Sequence, residues 1–214
     1  MSCLFKFLWS LLAPLLLLSA LTACQESPSI SLFNGKTFSG WEGDTATTWH
    51  IEDGAIVGGS FTETVPHNNF LTTKKPYGDF VLRLKFKLRS QEGFKNAGIQ
   101  FRSQRLTDPA YEMIGYQADL GPGYYGALYD ESRRKKVLAS PDSLAASKMI
   151  RPDQWNDYEI RAEGPRVQLF LNGQQMIDYT EPDTTIVQNG LIGLQIHGGG
   201  KTVVAYKDLV LTEL

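Results

Sequence analysis

Between residues 80 and 88 apolar and polar side chains alternate: Leu82, Leu84, Phe86 and Leu88 share one parity, Arg83, Lys85 and Lys87 the other. A period of two is that of a strand with one buried and one wet face. Further runs rich in β-branched and aromatic residues fall at 49–51, 55–57, 98–101, 114–120, 125–129, 158–162, 167–171, 175–179, 191–196 and 202–211. Clusters of Gly, Pro, Asn and Asp separate them, so the pattern predicts about eleven strands. Asn172-Gly173 between two alternating runs supplies the positive φ pair of a type I′ turn, which makes 158–179 a three-stranded meander. Only residues 142–149 offer a short helical stretch after the leader. Many strands without crossover helices predict an all-β fold, two antiparallel sheets packed as a sandwich.

The leader has its own pattern. Lys6 precedes an apolar run from Phe7 to Leu18, and Leu21-Thr22-Ala23-Cys24 closes it, the layout of an exported bacterial lipoprotein with Cys24 as the lipidated residue. Pro14 interrupts the run, which is too short to be a good spanning helix. The sequence thus divides into a signal peptide (1–23), a lipidated Cys with a linker (24–31) and one domain (32–214). The implied location is the cell envelope, with the membrane met through the lipid anchor only. Removing residues 1–23 from 214 leaves 191, with 20 basic against 23 acidic residues, so bulk charge argues against a nucleic-acid partner. The only other cysteine, Cys3, leaves with the leader, so the domain has no thiol for an internal disulfide or a thiolate metal site.

Gly121-Pro-Gly123-Tyr-Tyr-Gly126 has dinucleotide-fingerprint spacing, but the residues after it read as a strand, so it is taken as a turn. Glu181-Pro-Asp183 approaches the strand-borne carboxylate pattern of sandwich glucanases, lacks its final Glu, and is read as an acidic surface turn. Arg133-Arg134-Lys135-Lys136 is read as a solvated loop. His50, His67 and His197 are isolated, so no metal and no cofactor is assigned, although a divalent ion held by His and carboxylates assembled in space stays open.

The candidate chemistry lies in polar residues that alternate within otherwise buried strands. Gln100 and Arg102, Gln117 and Asp119, and Gln195 and His197 each share a face. If their strands are neighbours, they form a polar concavity suited to hydroxyl-rich ligands. Tyr116, Tyr125 and Tyr129, with Tyr124, supply aromatic surface for a sugar ring. Glu63 and Asn68, before a strand at Phe70, complete the rim. Asp119 or His197 is the candidate base, Arg102 with Gln117 the donors to an oxyanion, and Tyr129 or Glu131 the candidate acid.

These residues sit in a familiar order. Leu32-Phe-Asn-Gly35 with Gly40-Trp41, Trp49-His-Ile-Glu-Asp-Gly54, Tyr77-Gly-Asp-Phe80, Asn96-Ala-Gly-Ile-Gln-Phe-Arg102, Trp155-Asn156, Leu171-Asn-Gly173 and Gly190-Leu-Ile-Gly-Leu-Gln-Ile-His-Gly198 resemble the 3-keto-disaccharide hydrolase domain family, over about 31–214. The resemblance implies a concanavalin A-like jelly roll, export, and cleavage of glycosides already oxidised at ring carbon 3. The competing expectation is a non-catalytic carbohydrate-binding lipoprotein on the same fold; a glycosidase of unoxidised glycans is a third, disfavoured by the missing carboxylate spacing.

Overall fold

The computed structural model describes residues 28–214. The signal peptide and Cys24 lie outside the described residues. Fifteen strands and one short helix follow in chain order: β1 (Ser29–Ser31), β2 (Trp41–Glu42), β3 (Trp49–Glu52), β4 (Ala55–Gly59), β5 (Asn69–Thr73), β6 (Phe80–Gly93), β7 (Ala97–Arg105), β8 (Met113–Leu120), β9 (Leu128–Glu131), β10 (Lys136–Ala139), α1 (Ser143–Met149), β11 (Asn156–Glu163), β12 (Arg166–Leu171), β13 (Gln174–Thr180), β14 (Leu191–Ile196) and β15 (Gly200–Glu213).

Two antiparallel sheets form. One orders β13-β12-β11-β6-β15-β4-β3, with β1 added to β15 as an eighth strand; the other, of seven strands, orders β10-β9-β8-β7-β14-β5-β2. The layer between them is filled as the alternation requires. Leu82, Leu84 and Phe86 of β6 and Ile160 of β11 meet Ile99 and Phe101 of β7 and Leu194 of β14, all buried. Phe80 and Phe101 bridge the sheets edge to face at 6.4 Å. The Tyr206 hydroxyl donates to the carbonyls of Gly98 (3.0 Å) and Gln195 (2.9 Å), which clamps β15 onto β7 and β14.

The predicted meander is β11-β12-β13, and the turn after β12 has Asn172 and Gly173 at φ 49° and 82°. The helix at 143–149 starts where Asp142 caps it, its side chain accepting from the Ala145 N–H at 2.7 Å.

Several expectations are corrected. Residues 29–31, taken as linker, form β1: Ser29 registers with Thr212 and Ile30 with Leu211. The strand expected at Phe70 is β5, and the short strands β2 and β10 add to the eleven runs, their two and four residues being too few for a visible period. The run 125–129 begins as a turn, and strand starts only at Leu128. Glu181 is no surface residue; it is 4% exposed and bonded to Arg134 and to the Tyr116 hydroxyl. Arg133 and Arg134 are likewise engaged, both with buried Asp130.

Candidate active site

The outward face of the seven-stranded sheet carries the polar parity. Register puts Gly193 beside Gln100, Gln100 beside Gln117 and Gln117 beside Tyr129, and in the next rungs Gln195 beside Gly98 and Gly98 beside Asp119. Paired residues of an antiparallel ladder project to the same side, so four strands build one polar floor. At one end it opens into a cavity of about 200 Å³, whose lining includes Asn68, Gln117, Asp119, Tyr129, Glu131 and His197. This is below the ~300–1,000 Å³ of pockets for drug-sized ligands, and matches a single small polar ring better than a long chain.

Asp119 is fixed by a directional chain of hydrogen bonds. Ser103 Oγ donates to Gln100 Oε1 (2.6 Å), Gln100 Nε2 to Gln117 Oε1 (3.1 Å), and Gln117 Nε2 to Asp119 Oδ1 (2.7 Å). Each amide is thereby oriented by the one before it. The position of Gln117 depends on Gly98, because a Cβ there would fall 2.7 Å from Gln117 Cδ. Oδ2 of Asp119 has no protein hydrogen bond among the described residues, and the side chain faces the cavity. Burial pushes its carboxyl up to about 7, against the Gln117 hydrogen bond and with help from the charge of Glu131.

Glu131 is pushed to about 7 as well, by burial first and then by the nearby charge of Glu112. Glu112, in the loop before β8, is itself raised by burial, although Asn68 Nδ2 donates to its Oε1 at 2.9 Å. Its Oε2 is buried without a partner. No salt bridge reaches Glu112, Asp119 or Glu131 among the described residues. Burial together with like charge favours the protonated form of such carboxyls.

His197 Nδ1 lies 2.7 Å from the Gly198 carbonyl and Phe94 packs against the ring at 4.7 Å. A carbonyl accepts only from Nδ1–H, so the neutral ring presents Nε2 as the free lone pair. Burial raises the Tyr129 hydroxyl, and the charges of Glu131 and Asp119 raise it further, which keeps it a donor. Phe94 and Tyr124 meet edge to face at 6.3 Å on the rim, both well exposed. The turn that follows β8 explains the tyrosine pair. The N–H groups of Tyr124 and Tyr125 both donate to the Gly121 carbonyl, at 2.9 and 3.0 Å, and the tight turn sends Tyr124 to the rim and Tyr125 into the core.

Six expected site residues are therefore reassigned. Arg102 leaves the polar face because β7 bulges between Phe101 and Gln104, with Arg102 at φ 47°. Its buried guanidinium donates to the carbonyls of Gly78 and Gly164, pairs with Asp79 at 2.6 Å and also reaches Gln188, so it ties the segment before β6 to the turn between β11 and β12 and to the loop before β14. Tyr116 has the opposite parity to Gln117; it stacks on Phe101 in the core and donates to Glu181 at 2.6 Å. Tyr125 is buried between the sheets. Gln100 orients Gln117 from beneath and is itself fully buried. Gln195 has the expected face but is fully buried, and neither of its amide atoms has a partner. Glu63 is exposed and lines a neighbouring cavity with Ser60 and His67. Phe94, Asn96 and Glu112 are additions. Asn96 was legible, since the parity of Gly98 and Gln100 runs back to it; Phe94 and Glu112 sit on loops with no period to read. Among the described residues no three His, Cys, Asp or Glu side chains gather as a group able to hold a metal ion.

One family model matches residues 28–212, nearly all of the described chain. The chain belongs to the 3-keto-alpha-glucoside-1,2-lyase-like domain family. Among solved structures, this lyase-like domain is similar to a provisionally named glycosyl hydrolase from Parabacteroides distasonis ATCC 8503, at 21% identity and TM-score 0.64, over 87% of this chain and 94% of that one. It is also similar to the carbohydrate binding module CBM66 from Bacillus subtilis, at 17% identity and TM-score 0.63, over 81% and 96% of the two chains. A Bacillus licheniformis β-glucanase aligns at 11% identity and TM-score 0.53, over 90% and 100%. At these identities the likeness is one of fold, and it bears out the two-sheet sandwich of the concanavalin A and glucanase type. No curated protein matches the chain.

Proposed function

We propose that this domain cleaves glycosides oxidised at ring carbon 3, by elimination across carbons 1 and 2 followed by addition of water. The observation that carries the reading is the pair Asp119 and Glu131: two carboxyls in one cavity, neither in a salt bridge among the described residues, both pushed to about 7. Groups with such values serve as base and acid at neutral pH.

The ketone at carbon 3 acidifies the hydrogen on carbon 2. Asp119 Oδ2 takes that proton, and the electron pair of the C–H bond becomes the enolate spanning carbons 2 and 3. With Arg102 withdrawn, the donors left to the enolate oxygen are the Tyr129 hydroxyl and the side-chain amides of Asn96 and Gln117. The enolate then re-forms the ketone, a double bond forms between carbons 1 and 2, and the bond from carbon 1 to its substituent breaks. Protonated Glu131 supplies the proton that the leaving oxygen needs. Water adds back, hydroxide to carbon 1 and a proton to carbon 2, which gives the free 3-keto sugar. His197 Nε2 accepts from a ring hydroxyl in this scheme. Membership of the family supports the substrate class, and the leader supports action at the envelope from a lipidated Cys24.

The test is product analysis by NMR after residues 25–214 meet a 3-keto-glucoside and its unoxidised parent in D2O. Cleavage of the keto compound alone, with deuterium at carbon 2 of the product, is the expected result. Cleavage without deuterium overturns the elimination. No cleavage of either, with shifts at Phe94 and Tyr124, transfers the reading to a carbohydrate-binding module, which the exposed aromatic rim would serve.

A further inference from the structure

The opposite side of the molecule carries a separate charge pattern. On the outer face of the eight-stranded sheet, Lys85, Lys87 and Arg89 follow one another along β6, and Lys207 of β15 is in direct register with Lys85. Like charges placed opposite each other across a ladder destabilise a sheet, so the arrangement needs a compensating partner. Asp157 meets Lys85, but it is also shared with Arg151 at 3.6 Å. No salt bridge reaches Lys87, Arg89 or Lys207 among the described residues, although exposed Asp208 is the chain neighbour of Lys207. The three are held on aromatic faces instead: Lys87 and Lys207 lie 4.8 and 4.4 Å from the Trp155 ring, and Arg89 lies 5.0 Å from Phe61. Four cations and one shared carboxylate thus form a stripe on a domain of net negative charge.

The chain's entry point lies on this same sheet. β1 pairs with β15 at Val210–Thr212, a few positions beyond Lys207. Ser29 is five residues after Cys24, which spans at most ~17 Å when extended. A lipid on Cys24 would therefore hold this sheet close to a bilayer.

We propose that the stripe of Lys85, Lys87, Arg89 and Lys207 rests on an anionic phospholipid surface, with the cavity on the other sheet turned away from the membrane toward its substrate. One acyl-bearing residue and one basic patch are then two signals for the same surface, the combination that makes peripheral attachment stable. The orientation rests on the lipidation read from the leader; the affinity of the stripe for lipid does not.

The test uses residues 25–214, which hold every strand and the whole core, so that no acyl chain masks the effect. Partition is measured onto phosphatidylcholine vesicles and onto vesicles with ~30% phosphatidylglycerol, at about 0.1 M salt. Binding to the anionic vesicles alone is expected, and it should be lost as salt rises. The triple variant K87M/R89Q/K207M keeps apolar stems on Trp155 and should lower the partition constant on the order of 100-fold, at about fivefold for each cation removed. Circular dichroism checks its fold. Equal binding to both vesicle types, no binding to either, or an unchanged constant in a folded triple variant overturns the proposal. So does retention on a sulfated polysaccharide with no partition onto vesicles, which assigns the stripe to a polymer. The two wild-type vesicle arms decide the matter even if the variant fails to fold, and none of these outcomes bears on cleavage at the cavity.

Discussion

Asp130 and Glu131 are neighbours on β9 and face opposite sides of the sheet, and their surroundings could hardly differ more. Asp130 points into the layer between the sheets, fully buried, and pairs with Arg133 at 2.9 Å and with Arg134. Arg134 continues to Glu181 at 2.6 Å, and Glu181 accepts from Tyr116. Burial would raise Glu181, yet the hydrogen bonds from Arg134 and Tyr116 hold it down at about 2. Glu131 and Asp119 on the other side have burial without an ion pair, although the charge of Lys135 lowers Glu131 a little, and sit at about 7. Carboxyls that burial alone would raise are pinned in one place by hydrogen bonds from an arginine and a tyrosine and left raised in the other. Paired carboxylates read as structure, unpaired ones as chemistry.

The largest effect expected from this contrast is on stability. Glu181→Ala leaves the Tyr116 hydroxyl buried without an acceptor and half-releases Arg134. It should cost about 3 kcal/mol, a fall in Tm of roughly 10 °C in thermal unfolding. A loss below ~1 kcal/mol would place the network with ordinary surface pairs. On the poised side the balance reverses. Asp119→Asn keeps an acceptor for Gln117 and removes a desolvated charge, so Tm at pH 8 should hold or rise, while turnover of a 3-keto-glucoside drops at least ~100-fold. Turnover near that of the wild type would remove Asp119 as the base and pass that role to His197, whose replacement by Ala would then carry the larger loss.

The two networks also impose opposite pH dependence. Glu181 is lowered, so its contribution is present above the unfolded value of 4.5 and is lost as pH falls through about 2. Asp119 and Glu131 are raised, so the folded state holds protons that the unfolded state has released. Their contribution is complete below the unfolded values of 3.8 and 4.5 and is lost as pH rises through about 7. Tm should therefore decline by several degrees between pH 5 and 8 relative to an Asp119→Asn/Glu131→Gln variant, in which the decline is shallower. Parallel curves for the two proteins would mean that neither carboxyl is perturbed.

The sequence showed these regions unequally, for a physical reason. Parity within a strand is local, so Gln117 and Asp119 could be assigned to one face from spacing alone, and the structure places them around one cavity with Tyr129, Glu131 and His197. Arg102 followed the same parity and was misassigned, because a bulge reverses facing without leaving a sequence mark: Arg102 has φ 47°, and the partners of its guanidinium, Gly78, Gly164 and Asp79, are distant in the chain. Glu112 and Phe94 enter the site on loops whose paths depend on what they pack against. Tyr124 and Tyr125 are adjacent and similar, and only the turn decides which one meets solvent. The sandwich was legible because eleven runs repeat one signal; the ion network was not, because Glu181, Arg134 and Tyr116 meet only after the sheets close.

The smallest effect belongs to the rim, and it sharpens the contrast between floor and mouth. Tyr124 touches neither Asp119 nor Glu131 through a hydrogen bond, is 39% exposed, and meets Phe94 edge to face. An aromatic surface there binds a ring equally in ground and transition states, which lowers KM without changing kcat. Tyr124→Ala should raise KM about fivefold, in line with the ~1 kcal/mol of one aromatic contact, and leave kcat unchanged. Phe94 differs because it also packs at 4.7 Å on His197, a ring that lines the cavity. Phe94→Ala should therefore move kcat as well as KM. Steady-state kinetics of the two variants separate the roles: if Tyr124→Ala lowers kcat as much as Phe94→Ala does, the rim is part of the chemistry and the division between binding mouth and reacting floor fails.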